Sequence, residues 1–328
     1  MTAAAAPPDP EDELLAWLEA ALGRAPACEP VAADASPTRY YRLDGGAEKK
    51  LAMAADGPAA LEMFIGRGKI LADAGVRVPA VHAAEPARGY AVIEDFGDRL
   101  YSAALREDGV DRRRLYEDAW EAGARINAVT AEGLPRFDAT LLAKEASYLP
   151  KWYADAYRGQ PLDEDEANAY AAVAAALQQR FCAQPFVPCH RDWHSRNIFA
   201  LAEGPGVIDY AAMLAGPLCY DAASLLHDLY AGFEEEEKLD LLARHWELLR
   251  ARGLPAPADF GAYFEDYEWT ALQRLVKILG QFVFLERDRG RPGFEAHVPK
   301  CETMVHAIAL RYRELRPLAL LIERRVHG

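Results

Sequence analysis

Three polar residues have the types and spacing of a reacting site: Asp192, Asn197 five positions later, and Asp209 beyond a short apolar run. An aspartate in a tight loop can accept the proton of a hydroxyl group. Asn and Asp oxygens are hard donors suited to magnesium, which takes few protein ligands and keeps water and phosphate oxygens around it. The chemistry that uses all three is phosphoryl transfer, in which a base orients the attacking hydroxyl while a metal ion neutralises phosphate charge. The surrounding stretch "CHRDWHSRNIFA", residues 189–200, adds two histidines and two arginines between apolar flanks. That is the pattern of a loop anchored in a core with its polar groups turned to a ligand. Taken singly, the residues have plainer uses. Asp192 and Asn197 suit caps and turns, His190 suits a hydrogen bond that ties the loop, and His194 suits phosphate, sugar or neither.

Elements must hold these groups, and their periodicities divide the chain into three stretches. Residues 1–33 form an N-terminal extension in which "PEDELLAWLEAALG" reads as an amphipathic helix stopped by Gly23. Residues 34–97 read as a small nucleotide-binding lobe. There "TRYYRL" and "EKKLAMA" make a hairpin around a Gly-rich turn, "PAALEMFIGRGKILADAG" a helix ended by Gly75, and "YAVIEDF" an apolar strand. Residues 98–328 are mostly helical, with three-to-four spacing in "RRLYEDAWEAGARINAV", "TLLAKEASYLPKWYADAY" and "EDEANAYAAVAAALQQRF". The polar loop, the short strand "GVIDY" with Asp209, and the helix "YDAASLLHDLY" follow. The expected class is α+β, with a small sheet lobe carrying one helix and a larger helical lobe.

The order of base, Asn and strand-borne Asp, spelled here His190-Arg191-Asp192, resembles the protein kinase catalytic loop. The chain is similar over nearly its whole length to the aminoglycoside phosphotransferase and choline kinase group, which has the bilobal protein kinase-like fold. Within that group it looks most like the bacterial kinases that phosphorylate the anomeric hydroxyl of N-acetylmuramate and N-acetylglucosamine in cell-wall sugar recycling. The blocks that carry this are "DASPTRYYR" at 34–42, "HRDWHSRN" at 190–197, "GVIDYAAMLAGPLCYDAASLLHD" at 206–228 and "LQRLVKILGQFVFLERDRGRP" at 272–292.

The resemblance implies ATP as donor, Mg2+ on Asn197 and Asp209, and Asp192 as the hydroxyl-orienting base. It implies Ser36, Arg39 and Lys50 at the phosphates, with Glu62 as partner to Lys50, and the backbone near Glu94 and Phe96 at adenine. Glu145, Trp152, Arg191 and His194 would meet the acceptor sugar, with Gln273, Arg274 and Lys277 at the far side of its pocket and Asp221 bracing the loop. The pattern is departed from at Met53, where protein kinases carry the strand lysine, at Thr38, where a second basic residue is usual, and at Ala212, where relatives often carry a further acid. Ala212 leaves one magnesium site expected. Two other readings stay open: the same fold with an aminoglycoside, choline or other amino alcohol as acceptor, and a nucleotide-binding pseudokinase, prompted by Met53 and Ala212.

Composition narrows the field further. With 328 residues, 51% hydrophobic and 27% charged, the chain is long enough for two packed lobes. Its formal charge of -14 opposes a nucleic-acid partner. Five scattered cysteines without C-x-x-C spacing fit a reducing cytoplasm. The amino terminus lacks a signal-peptide pattern, and no apolar run reaches about 18 residues, so no membrane span is expected. The resemblance implies a small-molecule sugar as partner and leaves protein partners unknown.

Overall fold

The computed structural model describes residues 10–31, 37–44 and 48–327, so Ser36 lies outside the described residues. The chain gathers into two compact units, Met1–Arg99 with Leu201–Ala211, and Leu100–Ala200 with Ala212–Gly328.

The first unit contains α1 (Pro10–Leu22), β1 (Cys28–Val31), β2 (Arg39–Leu43), β3 (Lys50–Ala54), α2 (Pro58–Asp73), β4 (Val81–Glu85) and β5 (Tyr90–Glu94). The strands form one antiparallel sheet in the order β1-β2-β3-β5-β4. Register sets Tyr41 opposite Ala52, Ala52 opposite Val92 and Ala54 opposite Tyr90. The two-residue period of a strand therefore puts all five on one face, where Leu14 and Leu18 of α1 join them in a buried cluster. Full burial of each leucine is worth about 2 kcal/mol, which ties α1 into this core. β1 was not legible in the sequence, because Glu29 and Pro30 break the apolar alternation. Both are exposed on a strand at the sheet edge, where a missing N–H is tolerated.

α2 starts with Pro58 after Gly57, whose φ is 85°, and the chain leaves it through Gly75 at φ 77°. Gly68 is needed in its middle. A Cβ there would lie 2.7 Å from the hydroxyl of Tyr210, whose ring stacks on Phe64 at 5.1 Å. This contact fixes the returning segment Leu201–Ala211, which carries Asp209, against α2.

Along the rest of the chain come α3 (Tyr101–Ala104), α4 (Arg112–Asn127), α5 (Ala139–Ala146), a π-helix (Leu149–Tyr157), α6 (Glu164–Ala183), β6 (Phe186–Cys189), β7 (Ile198–Leu201), β8 (Gly204–Val207), β9 (Leu214–Pro217) and α7 (Tyr220–Leu226). Then follow α8 (Glu235–Ala251), α9 (Phe260–Arg287), α10 (Val298–Ala309) and α11 (Arg316–His327). The single helix expected from "TLLAKEASYLPKWYADAY" is broken between α5 and the π-helix. Pro150 has no N–H to give the Ala146 carbonyl, which accepts the Tyr170 hydroxyl instead at 2.7 Å. π-helical turns of this kind collect at functional sites.

α9 is the central helix of the second unit. All residues from 267 to 280 are buried, so it is covered on every side. Its polar residues therefore need partners: Glu268 accepts the Tyr312 hydroxyl at 2.7 Å and pairs with Arg311. Among the described residues no helix is long and apolar enough to cross a membrane. All five cysteines are free thiols.

A Cβ on Gly280 would lie 2.0 Å from the Tyr148 carbonyl oxygen, so α9 approaches the start of the π-helix more closely than any other residue would allow. Gly280→Ala is expected to destabilise the protein by about 3 kcal/mol through overpacking. Thermal denaturation checks this, and a variant melting with the wild type would refute the close approach.

Candidate active site

β6 is paired to β9 with Cys189 opposite Leu214, and the chain then turns sharply through residues 190–197. Arg191 has φ 80°, a left-handed conformation that costs a side-chain-bearing residue about 1–2 kcal/mol. Asp221, in the first turn of α7, holds it there. Its buried carboxylate accepts the backbone N–H of His190 at 2.7 Å and of Arg191 at 2.9 Å. Seven residues on, buried Asp228 accepts the N–H of Ser195 at 2.9 Å and of Tyr230 at 2.8 Å. Between these anchors the Asp192 carbonyl accepts the His194 N–H at 3.1 Å and the Asn197 side-chain amide at 2.9 Å. The loop is thus closed on itself. Because the nitrogen of the Asn197 amide is engaged, its oxygen is the end left for a ligand.

The Asp192 carboxylate is half-buried. Burial pushes its carboxyl up, but Lys277, Arg274 and Arg191 more than reverse this and hold it below the usual value. It is anionic at neutral pH. His194 is shifted the other way to the same end: burial lowers its imidazole further than Asp228 and Asp192 raise it, so the ring is neutral at pH 7. Glu145 of α5, 3% exposed, faces the Arg191 guanidinium at 3.5 Å and the Lys277 ammonium at 3.9 Å. Lys277 also reaches the Tyr220 hydroxyl at 3.5 Å. Arg274 lies one turn before Lys277 on the same face of α9. Three cations, Arg191, Arg274 and Lys277, thus surround two anions, Asp192 and Glu145.

Of the residues expected at the acceptor, Arg191, Glu145 and His194 belong to this cluster. Trp152 makes a separate aromatic contact: it lies edge-on to Phe284 at 5.2 Å, with the Lys151 ammonium 4.9 Å from its ring centre.

Arg39, Lys50, Glu94 and Phe96, expected at the nucleotide, and Asp209 lie in the first unit. Asp209 has φ 60°, and its charge adds to burial in raising the Tyr40 hydroxyl to about 12. Glu94 is committed by its side chain, which pairs with Arg77 at 2.7 Å and accepts the Ala80 N–H at 3.2 Å. Phe96 sits under the same arginine at 4.8 Å. Arg39 opens β2 and is exposed. The pairing expected between Lys50 and Glu62 does not form: Glu62 is exposed on α2, and Lys50 has Glu48, near the start of its own strand, at 3.5 Å. Ala52, Met53 and Ala54 of that strand are all buried, so both of its faces are covered there.

Residues 27–254, more than two thirds of the chain, match the model of the "Phosphotransferase enzyme family". The chain belongs to the phosphotransferase enzyme family. A protein of Neisseria meningitidis serogroup B named N-acetylmuramate/N-acetylglucosamine kinase is 33% identical over 252 residues, 76% of this chain and 75% of that one. A protein of the same name from Pseudomonas putida is 29% identical over 323 residues, 94% of this chain and 95% of that one. In structure, the phosphotransferase is similar to a choline/ethanolamine kinase family protein from Mesorhizobium loti. The TM-score is 0.64 at 16% identity, over 96% of this chain and 100% of the other. The fold is therefore the α+β, protein kinase-like fold of that group.

Phosphotransferases of this fold draw the phosphoryl group from a nucleotide with the help of a divalent cation. The amide oxygen of Asn197 is a hard donor of the kind such an ion takes, as is, in the first unit, the carboxylate of Asp209. The residue the sequence did not mark is Asp228. Within "YDAASLLHDLY" its spacing continues the helix, whereas α7 ends at Leu226 and frees the Asp228 carboxylate for the loop.

Removing the Asp221 carboxylate would leave two buried N–H groups without an acceptor at a strained turn. Asp221→Ala is expected to cost this phosphotransferase about 2–4 kcal/mol. Urea denaturation measures it, and a loss under about 0.5 kcal/mol would show that the turn is held by something else.

Proposed function

We propose that this phosphotransferase is an ATP- and Mg2+-dependent kinase that phosphorylates the anomeric hydroxyl of N-acetylmuramate or N-acetylglucosamine, giving the sugar 1-phosphate for cell-wall sugar recycling. The observation that carries the reading is the ionised Asp192 carboxylate, free of internal hydrogen bonds in a loop whose backbone is pinned at both ends. The names of the relatives, at 28–33% identity, support the acceptor.

In this reading Asp192 accepts a hydrogen bond from the anomeric hydroxyl and aims its oxygen at the γ-phosphorus. As the new P–O bond forms and the bond to ADP breaks, the proton passes to Asp192. An anomeric hydroxyl is more acidic than an ordinary alcohol, so a carboxylate of low basicity suffices, and most of the acceleration comes from positioning and charge neutralisation. Asn197 and Asp209 would hold the magnesium, which when bound screens the phosphate oxygens. Ser36, Arg39 and Lys50 would meet the phosphates, and the backbone at Glu94 and Phe96 the adenine. Glu145 would accept bonds from sugar hydroxyls, with Arg191 holding its carboxylate in place. Neutral His194 would donate to the sugar, and Trp152 would offer it an aromatic face. Choline and aminoglycosides are cations, which Arg191, Arg274 and Lys277 disfavour.

With labelled ATP and a panel of N-acetyl sugars and amino alcohols, label is expected on the sugars alone. Asp192→Asn is expected to lower that turnover about 10²–10⁴-fold while ATP with magnesium still raises the melting temperature. Turnover near normal would remove Asp192 from the chemistry, and label on an amino alcohol would replace the acceptor. The pH profile supplies a further check. A carboxyl held below its usual value stays ionised down to that value, so the acid limb of kcat/KM belonging to Asp192 is expected below about pH 4. An acid limb centred near pH 6 would assign the base to a group other than Asp192.

A further inference from the structure

Arg274 is a buried charge without a partner among the described residues. It is 6% exposed, yet its guanidinium makes no hydrogen bond or ion pair among the described residues, and its Nε is fully buried without a partner. The other buried carboxylate, ammonium and guanidinium groups among the described residues are matched. Arg325, also 6% exposed, donates to Glu166 at 3.0 Å and to the Gln160 carbonyl at 3.0 Å. Glu268, on the same helix as Arg274, is satisfied by Tyr312 and Arg311. A buried cation without a counter-charge is strongly unfavourable, and it persists where a ligand completes it.

No carboxylate nearby is available to do so. Glu145 is shared by Arg191 at 3.5 Å and Lys277 at 3.9 Å. Asp221 is spent on two backbone N–H groups. Asp192, within electrostatic reach of Arg274, is the base of the proposed reaction. What the cluster lacks is one further negative charge, and a guanidinium fork matches a planar carboxylate in shape as well as sign.

We propose that Arg274, supported by Lys277, is the subsite for a carboxylate carried by the acceptor, and that it makes the kinase prefer N-acetylmuramate, with its lactyl carboxylate, over neutral N-acetylglucosamine. The inference rests on the sugar-kinase reading given above. A phosphate oxygen of the nucleotide is the other oxyanion that Arg274 would suit. The acceptor is favoured because Arg274 lies on the helix that packs against the π-helix of Trp152 and beside the Glu145 pair, whereas the residues proposed for the nucleotide belong to the first unit.

Three acceptors test it with the full-length wild type: N-acetylmuramate, its methyl ester and N-acetylglucosamine. The wild type is expected to show kcat/KM at least about tenfold higher for N-acetylmuramate than for either neutral sugar. Arg274→Gln is expected to raise KM for N-acetylmuramate about tenfold more than it raises KM for N-acetylglucosamine, and Arg274→Lys, which keeps the charge but not the fork, is expected to fall between. The proposal is overturned if the ester matches the free acid, if both sugars suffer alike in the variants, or if the KM for ATP rises in place of that for N-acetylmuramate. Should Arg274→Gln fail to fold, the ester comparison on the wild type decides. Turnover of the sugars without preference overturns this proposal alone, whereas a wild type that phosphorylates neither sugar overturns the sugar-kinase reading and this subsite with it.

Discussion

Two buried carboxylates holding backbone N–H groups are the constraint on which the site depends. Asp221, in the first turn of the short helix α7, and Asp228, just beyond its end, grip the loop of residues 190–197 at its start and at Ser195. Each of these bonds joins a buried carboxyl oxygen to a backbone amide where little water competes for it. Together they maintain Arg191 in a conformation that an isolated peptide would leave. A side chain carried by a loose loop would sample many directions. Fixed from both ends, Asp192 keeps one direction, and the Asn197 amide bonded to its carbonyl is fixed with it.

Around that loop the second unit accumulates charge in its interior, contrary to what stability alone would favour. Lys277, Arg274 and Glu145 are each at least nine-tenths buried, and Arg191 completes the group. Such clusters are destabilising unless every member is matched, and here one is not. The compensation comes from the rest of α9, whose neighbours are apolar and whose closest approach to the π-helix passes through Gly280. A well-packed helix thus carries a buried guanidinium that no group among the described residues completes.

The first unit follows a different economy. Its ion pairs, Arg42 with Asp95 and Arg77 with Glu94, lie at the margins of the sheet and brace the end of β5. The strand that carries a phosphate-binding lysine in protein kinases is here filled with Ala52, Met53 and Ala54. The cations proposed for the phosphates are therefore Lys50, at the start of that strand, and Arg39 of β2. This is compatible with catalysis because positioning and the metal ion supply most of the effect in phosphoryl transfer.

The sequence by itself determined the elements and the chemistry. Periodicity fixed the helices, glycine and proline fixed where α2 begins and ends, and the spacing of Asp192, Asn197 and Asp209 pointed to phosphoryl transfer, because these signals are local in the chain. The edge strand β1 and the break at Pro150 were missed, since one is decided by pairing and the other by a carbonyl that Tyr170 takes over from far along the chain. Asp228 and the role of Arg274 were out of reach for the same reason. Whether a carboxylate anchors a loop or a guanidinium lacks a partner depends on which residues, remote in sequence, are brought within about 4 Å, and only the tertiary structure decides that.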